Sequence, residues 1–147
     1  MKYTTSIEIN LTRDKVLDFF DNPENLYKWQ PDLKSFELLS GEPGQNGTIS
    51  KLTYAFGNRN MEMTETITNR NFPEVYTVEY KTKGVKNIVV NKFIEQNDSI
   101  TLWITENEFK FTGFMAIMSL FMMNAFKKQT LKTMNQFKQF VEDQKMK

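Results

Sequence analysis

The sequence of 147 residues contains no cysteine and no histidine. The absence of cysteine excludes disulfide bonds, thiolate nucleophiles and thiolate-bound metals. The absence of histidine excludes a Ser-His-Asp triad and removes the commonest general base near neutral pH. A transition metal would have to be held by carboxylates alone, which is a poor ligand set for zinc or iron. We therefore expect no metal and no cofactor, and the chain is better suited to binding than to catalysis.

Neither sign of charge is in excess. The 19 Lys and Arg residues oppose 18 Asp and Glu residues, which gives a net charge of +1. Nucleic-acid-binding domains carry a clear basic excess, so we do not expect nucleic acid as a partner. Residues 1–10 contain no apolar segment typical of a secretory signal, so the expected location is the cytoplasm.

Large apolar side chains, in contrast, are abundant. The 13 Phe, 5 Tyr and 2 Trp residues make up 14% of the chain, and 9 Met residues accompany them. Side chains of this size need either a large apolar core or an apolar ligand to contact. No repeat, low-complexity segment or linker divides the chain, which predicts a single domain over residues 1–147.

The order of the predicted elements indicates an α+β fold. Alternating apolar and polar residues predict a first strand at residues 3–11, and two short helices follow, the second over residues 23–29. The connections between the later strands are short and rich in turn-forming residues, so these strands must be antiparallel neighbours. Six such strands are predicted at residues 33–40, 48–56, 60–69, 75–82, 85–95 and 99–111.

A last helix is predicted over residues 113–143, and it has two distinct faces. One face is apolar along its whole length and is expected to lie against the sheet: Met115, Met122, Met123, Phe126, Met134, Phe137, Phe140 and Val141. The opposite face is apolar only in its first half, where it contains Phe114, Ile117, Met118, Phe121 and Ala125. It then becomes polar, with Lys128, Lys132, Asn135 and Gln139. The apolar side chains in the first half of the helix are therefore expected to contact something other than water.

Four kinds of contact can shield this apolar half of the helix from water. The apolar run over residues 114–126 is too short to span a bilayer core of about 30 Å. We expect the two short N-terminal helices to bury it. A lid over a cavity or a homodimer contact are alternatives. A membrane-surface contact is a further one, because Lys127 and Lys128 flank the run.

Short motifs along the whole chain are similar to those of one known superfamily. They are Ser6-Ile7-Glu8-Ile9, Val16, Phe19, Phe20, Asp21-Asn22-Pro23-Glu24, Leu26, Trp29, Pro31-Asp32, the Gly-rich loop from Gly41 to Gly47, and Met63-Thr64-Glu65-Thr66-Ile67-Thr68. Together with the element order, they resemble the START-related and polyketide cyclase/dehydrase (SRPBCC) helix-grip proteins. The resemblance implies a curved antiparallel sheet of about seven strands, in the order β-α-α-β6-α, wrapped around a long C-terminal helix with an internal cavity. Members include both lipid carriers and cyclases and share no universal catalytic residue, so the fold alone does not decide the function.

Strand parity singles out one buried carboxylate. Glu65 shares a strand face with Met63 and Ile67, so it is expected to point to the apolar side of the sheet. Burial without a counter-charge raises the pKa of a carboxyl group, which makes Glu65 a candidate acid, base or ligand anchor. The alternative is that Glu65 lies near an open rim or pairs with a lysine or a hydroxyl group.

Eight further residues are expected to line the cavity, with ordinary core packing as the alternative for each. They are Trp29, Tyr54, Tyr80, Trp103, Asn107, Met115, Met118 and Met122. The aromatic and thioether groups would contact an apolar ligand, while the hydroxyl and amide groups would orient its polar end.

Three functions are compatible with these observations. The leading hypothesis is binding, transport or sequestration of a small hydrophobic or amphipathic molecule such as a lipid, isoprenoid or polyketide. The second is an enzyme of the cyclase or dehydratase kind, in which Glu65 works with Tyr54 or Asn107. The third is a protein- or membrane-interaction module that uses residues 114–121.

Overall fold

Seven strands form one curved antiparallel sheet within residues 1–145 and 147, the part of the chain that the computed structural model describes. Across the sheet their order is β1-β7-β6-β5-β4-β3-β2, so that β1 and β2 lie at opposite edges. The strands are β1 Lys2–Ile9, β2 Leu33–Ser40, β3 Ile49–Phe56, β4 Arg59–Asn71, β5 Val75–Thr82, β6 Val85–Asn97 and β7 Ile100–Phe111.

Helices connect the two edge strands and follow the last strand. They are α1 Arg13–Phe20, the 3₁₀ turn Pro23–Asn25, α2 Leu26–Trp29, α3 Phe114–Met118, the 3₁₀ turn Ser119–Phe121 and α4 Met123–Lys145. The long helix α4 packs against β1 and α2. The chain thus has the predicted helix-grip architecture, with a curved sheet around a C-terminal helix.

The inward face of each strand follows the predicted alternation. On β7, for example, Trp103, Thr105 and Asn107 are buried while the residues between them are more exposed. Register shifts interrupt the β2–β3, β4–β5 and β6–β7 pairings. Such bulges bend and twist strands, so they help the sheet to curve around α4.

The predicted strands are all present, with small differences at their ends. β2 and β5 have the predicted bounds, whereas β1 ends at Ile9, two residues before the predicted end. β6 continues to Asn97 because this residue still pairs with Ile100 across the hairpin. Strand ends depend on such cross-strand partners, which a pattern within one strand does not contain.

The prediction of one uninterrupted helix over residues 113–143 is wrong. The helix is broken before Met123, since Met122 has φ −117° and ψ 0° and thus leaves the helical region. The Ser119 hydroxyl donates a hydrogen bond of 2.8 Å to the carbonyl oxygen of Ala116. Such local bonds compete with the regular backbone ladder and favour a tighter turn.

The apolar half of the predicted helix is exposed, which contradicts its expected burial under the N-terminal helices. Phe114 is 71% exposed and Phe121 is 81% exposed. Met123, which was expected to face the sheet, is 47% exposed. Helices α1 and α2 pack at the other end of α4 instead, where Phe19 lies edge-on to Phe140.

A tightly packed core surrounds the C-terminal half of α4. Phe137 is completely buried, and its ring lies 5.0 Å from the ring of Trp29 and 5.3 Å from that of Trp103. The buried residues of this core are Ile9, Leu11, Val16, Trp29, Phe93, Trp103, Met134, Phe137 and Val141. Because these bulky groups fill one end of the space between sheet and helix, any open volume must lie toward the other end.

Glu142 ties the end of α4 to β1, and its replacement should weaken this connection. Its carboxylate accepts hydrogen bonds from the backbone N–H of Asn10 (3.0 Å) and from Lys138 (2.6 Å). Burial alone would raise the pKa of Glu142, but these partners outweigh it and lower the pKa below its ordinary value.

Glu142→Gln should lower the free energy of unfolding at neutral pH by about 1 kcal/mol. The difference should shrink as the pH falls through the Glu142 pKa, because the wild-type carboxylate is then protonated too. Urea unfolding at neutral and acidic pH measures this, and equal stabilities at neutral pH would contradict it.

Candidate functional site

A cavity of about 1020 Å³ lies between the sheet and the N-terminal half of α4. Its size is at the upper end of the range typical of small-molecule sites, roughly 300–1,000 Å³. The wall is mainly apolar and consists of inward-facing strand residues together with residues of α1, α2, α3 and α4. Its apolar members include Phe20, Leu26, Trp29, Phe36, Leu52, Met61, Met63, Ile67, Val89, Trp103, Phe109, Met115, Met122 and Phe126.

The most polar part of the wall is a cluster around Glu65. Glu65 and Tyr80 are direct cross-strand partners on β4 and β5, and the Tyr80 hydroxyl lies close enough to the Glu65 carboxyl group to oppose part of the rise in its pKa. Tyr54 on β3 and Tyr76 on β5 lie close enough for the Glu65 charge to act on their hydroxyl groups. The hydroxyl of Tyr54 also donates a hydrogen bond of 2.6 Å to Gln30 Oε1. The chain therefore gathers one carboxyl and three phenol groups in one region of the cavity.

The protonation of this cluster favours its neutral forms. Burial raises the pKa of Glu65, and the nearby hydroxyl of Tyr80 opposes this only in part. Burial, reinforced by the Glu65 charge, raises the pKa of Tyr80 well above its ordinary value. A neutral carboxyl group and neutral phenols can each both donate and accept a hydrogen bond. The cluster thus offers donors as well as acceptors to a bound molecule.

A second polar network lines β6 and β7. The amide of Asn87 donates to Asn107 Oδ1 at 3.3 Å, and Asn107 donates to Thr105 Oγ1 at 3.3 Å. The indole N–H of Trp103 donates to Asn91 Oδ1 at 3.0 Å. Because these groups are largely paired with one another, they have less capacity left for a ligand than the cluster around Glu65 has.

Most of the residues that strand and helix patterns predicted for the cavity lie on its wall. These are Trp29, Tyr54, Glu65, Tyr80, Trp103, Asn107, Met115 and Met122. Met118 on α3 is not among the lining residues. Trp29 is buried against Phe137, and its indole N–H has no hydrogen-bond partner within the part of the chain that the structure describes.

The two proposed partners of Glu65 differ in their placement. Tyr54 belongs to the cluster around Glu65, whereas Asn107 belongs to the network on β6 and β7. Tyr80, which was predicted only as a lining residue, is the direct cross-strand neighbour of Glu65. The pairing of Glu65 with Tyr80 depends on the register of β4 and β5, which neither strand pattern contains.

The polar lining of α4 was not predicted. Gln129, Thr130, Thr133 and Gln136 line the cavity, although the sequence pattern pointed to the apolar residues of this helix. Thr130, Thr133 and Gln136 follow one another at intervals of three residues, and Gln129 lies four residues before Thr133, so all four share one face of a helix. This spacing is the signal that could have revealed them. The cavity is therefore less apolar on its helix side than the sequence indicates.

An ion pair lies at one edge of the cavity. Arg70 on β4 contacts both carboxylate oxygens of Asp21, which follows α1, and its guanidinium group also stacks over the ring of Phe72 at 4.8 Å. The backbone N–H of Arg70 donates to Asn46 in the Gly-rich loop between β2 and β3. Asp21, Arg70 and Gly44 of this loop all border the cavity, so the ion pair links three segments around one edge.

The fold and the cavity together define a helix-grip protein with an internal ligand-sized space. The chain belongs to the family described as polyketide cyclase / dehydrase and lipid transport, whose model matches residues 1–140. No curated protein matches the sequence. This family membership agrees with the resemblance drawn from the motifs and supports hydrophobic-ligand binding or cyclase activity in general terms.

Several solved structures share the fold. A conserved protein from Geobacillus kaustophilus is 18% identical with a TM-score of 0.80, covering 97% of this chain and 96% of that chain. The Zhui aromatase/cyclase from Streptomyces sp. R1128 is 11% identical with a TM-score of 0.80, and the match covers 97% of this chain and 93% of that chain. Norcoclaurine synthase from Thalictrum flavum, in complex with dopamine and hydroxybenzaldehyde, is 14% identical with a TM-score of 0.74. The match covers 97% of this chain and 87% of that chain. At these identities the similarity establishes the fold alone. Among the described residues, no helix has the length and apolar character needed to cross a membrane.

Proposed function

We propose that the chain binds a small amphipathic molecule inside the cavity. The apolar body of the ligand contacts the aromatic and methionine wall, and its polar end reaches Glu65 and Tyr80. The observation that carries this proposal is the combination of a 1020 Å³ apolar cavity with one cluster of carboxyl and phenol groups. Binding sites of this kind use apolar area for affinity and a few polar groups for orientation.

The charges around the cavity favour a ligand without a negative charge. Three basic residues border the cavity. Arg70 is paired with Asp21 and Lys81 with Glu79, while Lys83 lies exposed in the turn between β5 and β6. The cluster itself contains a carboxyl group and no basic side chain, so a carboxylate or phosphate next to Glu65 would lose its solvation without gaining a counter-charge. A carbonyl or hydroxyl group can instead accept from or donate to Glu65 and Tyr80. Isoprenoid or polyketide-like molecules fit this chemistry better than free fatty acids.

Two comparisons are consistent with this proposal. The family description names both cyclase/dehydrase activity and lipid transport. The norcoclaurine synthase structure, which shares the fold, is a complex with two small aromatic molecules. Both favour a small, largely apolar ligand over a macromolecule as the partner of the cavity.

A cavity-filling variant provides the first test. Val89 on β6 borders the cavity, whereas the next residue, Val90, lies on the opposite face of the strand. Val89→Trp should weaken the binding of a fluorescent apolar dye by about tenfold or more, because the indole ring occupies ligand volume. Val90→Trp is the matched control and should leave dye binding unchanged. Dye titration measures both, and native mass spectrometry with neutral isoprenoids, aromatic polyketides and fatty acids compares ligand classes. Equal dye affinity of the two variants, or no ligand of any class, would overturn the proposal.

An enzyme of the cyclase or dehydratase kind is a second candidate. The specific observation is the pairing of Glu65 with Tyr80 on the cavity wall, since a carboxyl group whose pKa is raised by burial can act as a general acid or base near neutral pH. Glu65→Gln should then lower turnover of a substrate by about 10²–10⁴-fold while its binding is preserved. If Glu65→Gln weakens binding and turnover equally, Glu65 anchors the ligand instead. Unchanged turnover would exclude this second candidate.

The ion pair between Asp21 and Arg70 should slow ligand exchange. Asp21→Asn removes the charge that holds Arg70 at the edge of the cavity, so dye dissociation should become faster by about two- to fivefold. Stopped-flow fluorescence measures this rate. Asp18→Asn, a change on the exposed side of α1, is the control and should have no effect. The prediction fails if both variants release the dye at the wild-type rate.

A further inference from the structure

An exposed apolar patch surrounds the break between α3 and α4. We call Phe114, Ile117, Leu120 and Phe121 the apolar patch. These four side chains are 71%, 59%, 79% and 81% exposed, and they lie within eight consecutive residues. Single exposed apolar residues are common on soluble proteins, but a cluster of large ones usually marks a contact surface.

The charged residues in the stretch of sequence that contains the apolar patch are all basic. Between Glu108 and Glu142 the chain contains no Asp or Glu. The same stretch contains Lys110, Lys127, Lys128, Lys132 and Lys138. Lys127 and Lys128, in the second turn of α4, are exposed and form no ion pair within residues 1–145 and 147. An apolar surface next to unpaired lysines is complementary to an anionic lipid surface, where the rings enter the interface and the ammonium groups meet the headgroups.

The apolar patch is continuous with the wall of the cavity. On the same segment, Met115 and Met122 border the cavity while the patch faces outward. The turn between β5 and β6 closes this end, because a Cβ atom on Gly84 would lie only 3.0 Å from Met115 Cγ. Lys83 in this turn is exposed and also borders the cavity. The segment thus has cavity-lining residues and the exposed apolar patch on the same short stretch of chain.

We propose that the apolar patch docks onto an anionic lipid bilayer surface. Phe114 and Phe121 insert among the headgroups and the first carbons of the acyl chains, and Lys127 and Lys128 contact the acidic headgroups. Docking brings the Met115–Met122 end of the cavity against the membrane, so that an apolar ligand passes between bilayer and cavity with little exposure to water.

A second copy of this chain fits the surface less well. A symmetric dimer places the same surface of both copies together, so the lysines around one patch would face those around the other. The positive charges of the two copies would then repel each other, and no acidic residue between Glu108 and Glu142 compensates them. The charge pattern therefore favours a lipid surface over self-association.

Vesicle co-sedimentation tests the proposal. The intact protein should bind vesicles of phosphatidylcholine mixed with phosphatidylserine more tightly than vesicles of phosphatidylcholine alone, and added salt should weaken this binding. Phe121→Glu should reduce binding to the mixed vesicles by about tenfold or more. The double variant Lys127→Gln/Lys128→Gln should reduce it by about 25-fold, or about fivefold for each lysine. Leu39→Glu is the matched control, because Leu39 is 49% exposed on β2 and lies outside the patch. This variant should bind like the wild type.

Three results would overturn the proposal. The first is no binding of the wild type to either kind of vesicle, and the second is equal loss of binding in Phe121→Glu and Leu39→Glu. The third is a wild-type dimer in light scattering that Phe121→Glu converts to a monomer, since the patch would then be a dimer interface. Thermal unfolding verifies that the variants are folded, and the exposure of Phe121 leads us to expect an unchanged melting temperature.

Docking does not depend on the ligand proposed for the cavity. Phe121→Glu should still bind the apolar dye in solution, and Val89→Trp should still bind mixed vesicles. Loss of dye binding in Val89→Trp together with intact vesicle binding would support both proposals separately. Failure of one assay alone identifies which of the two proposals is wrong.

Discussion

Replacing Phe137 with alanine should lower the free energy of unfolding by about 3–5 kcal/mol, the largest effect on stability expected for this protein. Phe137 is completely buried in the core around the C-terminal half of α4. Its ring contacts the rings of Phe20, Trp29 and Trp103 at centroid distances of 5.7, 5.0 and 5.3 Å. Alanine would remove these contacts and leave a cavity that such rigid neighbours cannot fill.

The same substitution at Phe121 is the control for this prediction. Phe121 is 81% exposed, so Phe121→Ala should change the stability by no more than about 0.5 kcal/mol. Urea-induced unfolding followed by tryptophan fluorescence compares the two variants. Similar losses at both positions would mean that the segment before α4 is buried after all, and the exposed apolar patch would have to be abandoned.

Replacing Glu65 with glutamine should remove the contribution of this residue to the pH dependence of stability, which lies between the ordinary pKa of a glutamate and the raised pKa of Glu65. In the folded chain burial raises the pKa of Glu65 from 4.5, against a smaller opposing effect of the Tyr80 hydroxyl. Between that value and the raised pKa, the folded protein holds a proton that the unfolded chain has released. Stability therefore falls as the pH rises through this interval, by up to about 1.4 kcal/mol per pH unit. Glutamine cannot ionise, so the variant should be more stable than the wild type at the upper end of the interval.

Glu62→Gln is the matched control for this effect. Glu62 lies on the same strand, β4, but is exposed on the opposite face of the sheet. This variant should keep the pH dependence of the wild type. Unfolding by urea at a series of pH values measures all three proteins. If Glu65→Gln showed the same slope as the wild type, Glu65 would not be the buried carboxyl group that the structure indicates.

Strand parity accounts for how much of the cavity could be predicted. Apolar and polar residues alternate within each strand, so the inward direction of Tyr54, Glu65 and Trp103 follows from the sequence. The pattern does not contain the register between strands, and for this reason Tyr80 was not recognised as the cross-strand neighbour of Glu65. The alternation pattern also did not reveal the ion pair between Asp21 and Arg70, because these residues are far apart in sequence and meet only in the folded chain.

The segment before α4 shows where a helical pattern is insufficient. Residues 114–126 have an apolar pattern that is compatible with a continuous helix, yet the chain bends at Met122. The bend turns Met115 and Met122 toward the cavity and leaves Phe114 and Phe121 outside. A helical wheel assumes one straight helix, so it could not separate the cavity-lining methionines from the exposed phenylalanines. The directions of these side chains depend on where the helix breaks.

The amino-acid sequence by itself determined the order of the elements, the antiparallel meander and the inward faces of the strands. These properties depend on local periodicity and on the length of the connections, which are contained in neighbouring residues. Only the tertiary structure decided which apolar residues pack around Phe137, which surround an open cavity, and which remain exposed near Phe121. These outcomes depend on how segments distant in sequence share one interior, since a bulky side chain that fills one end of it leaves space at the other.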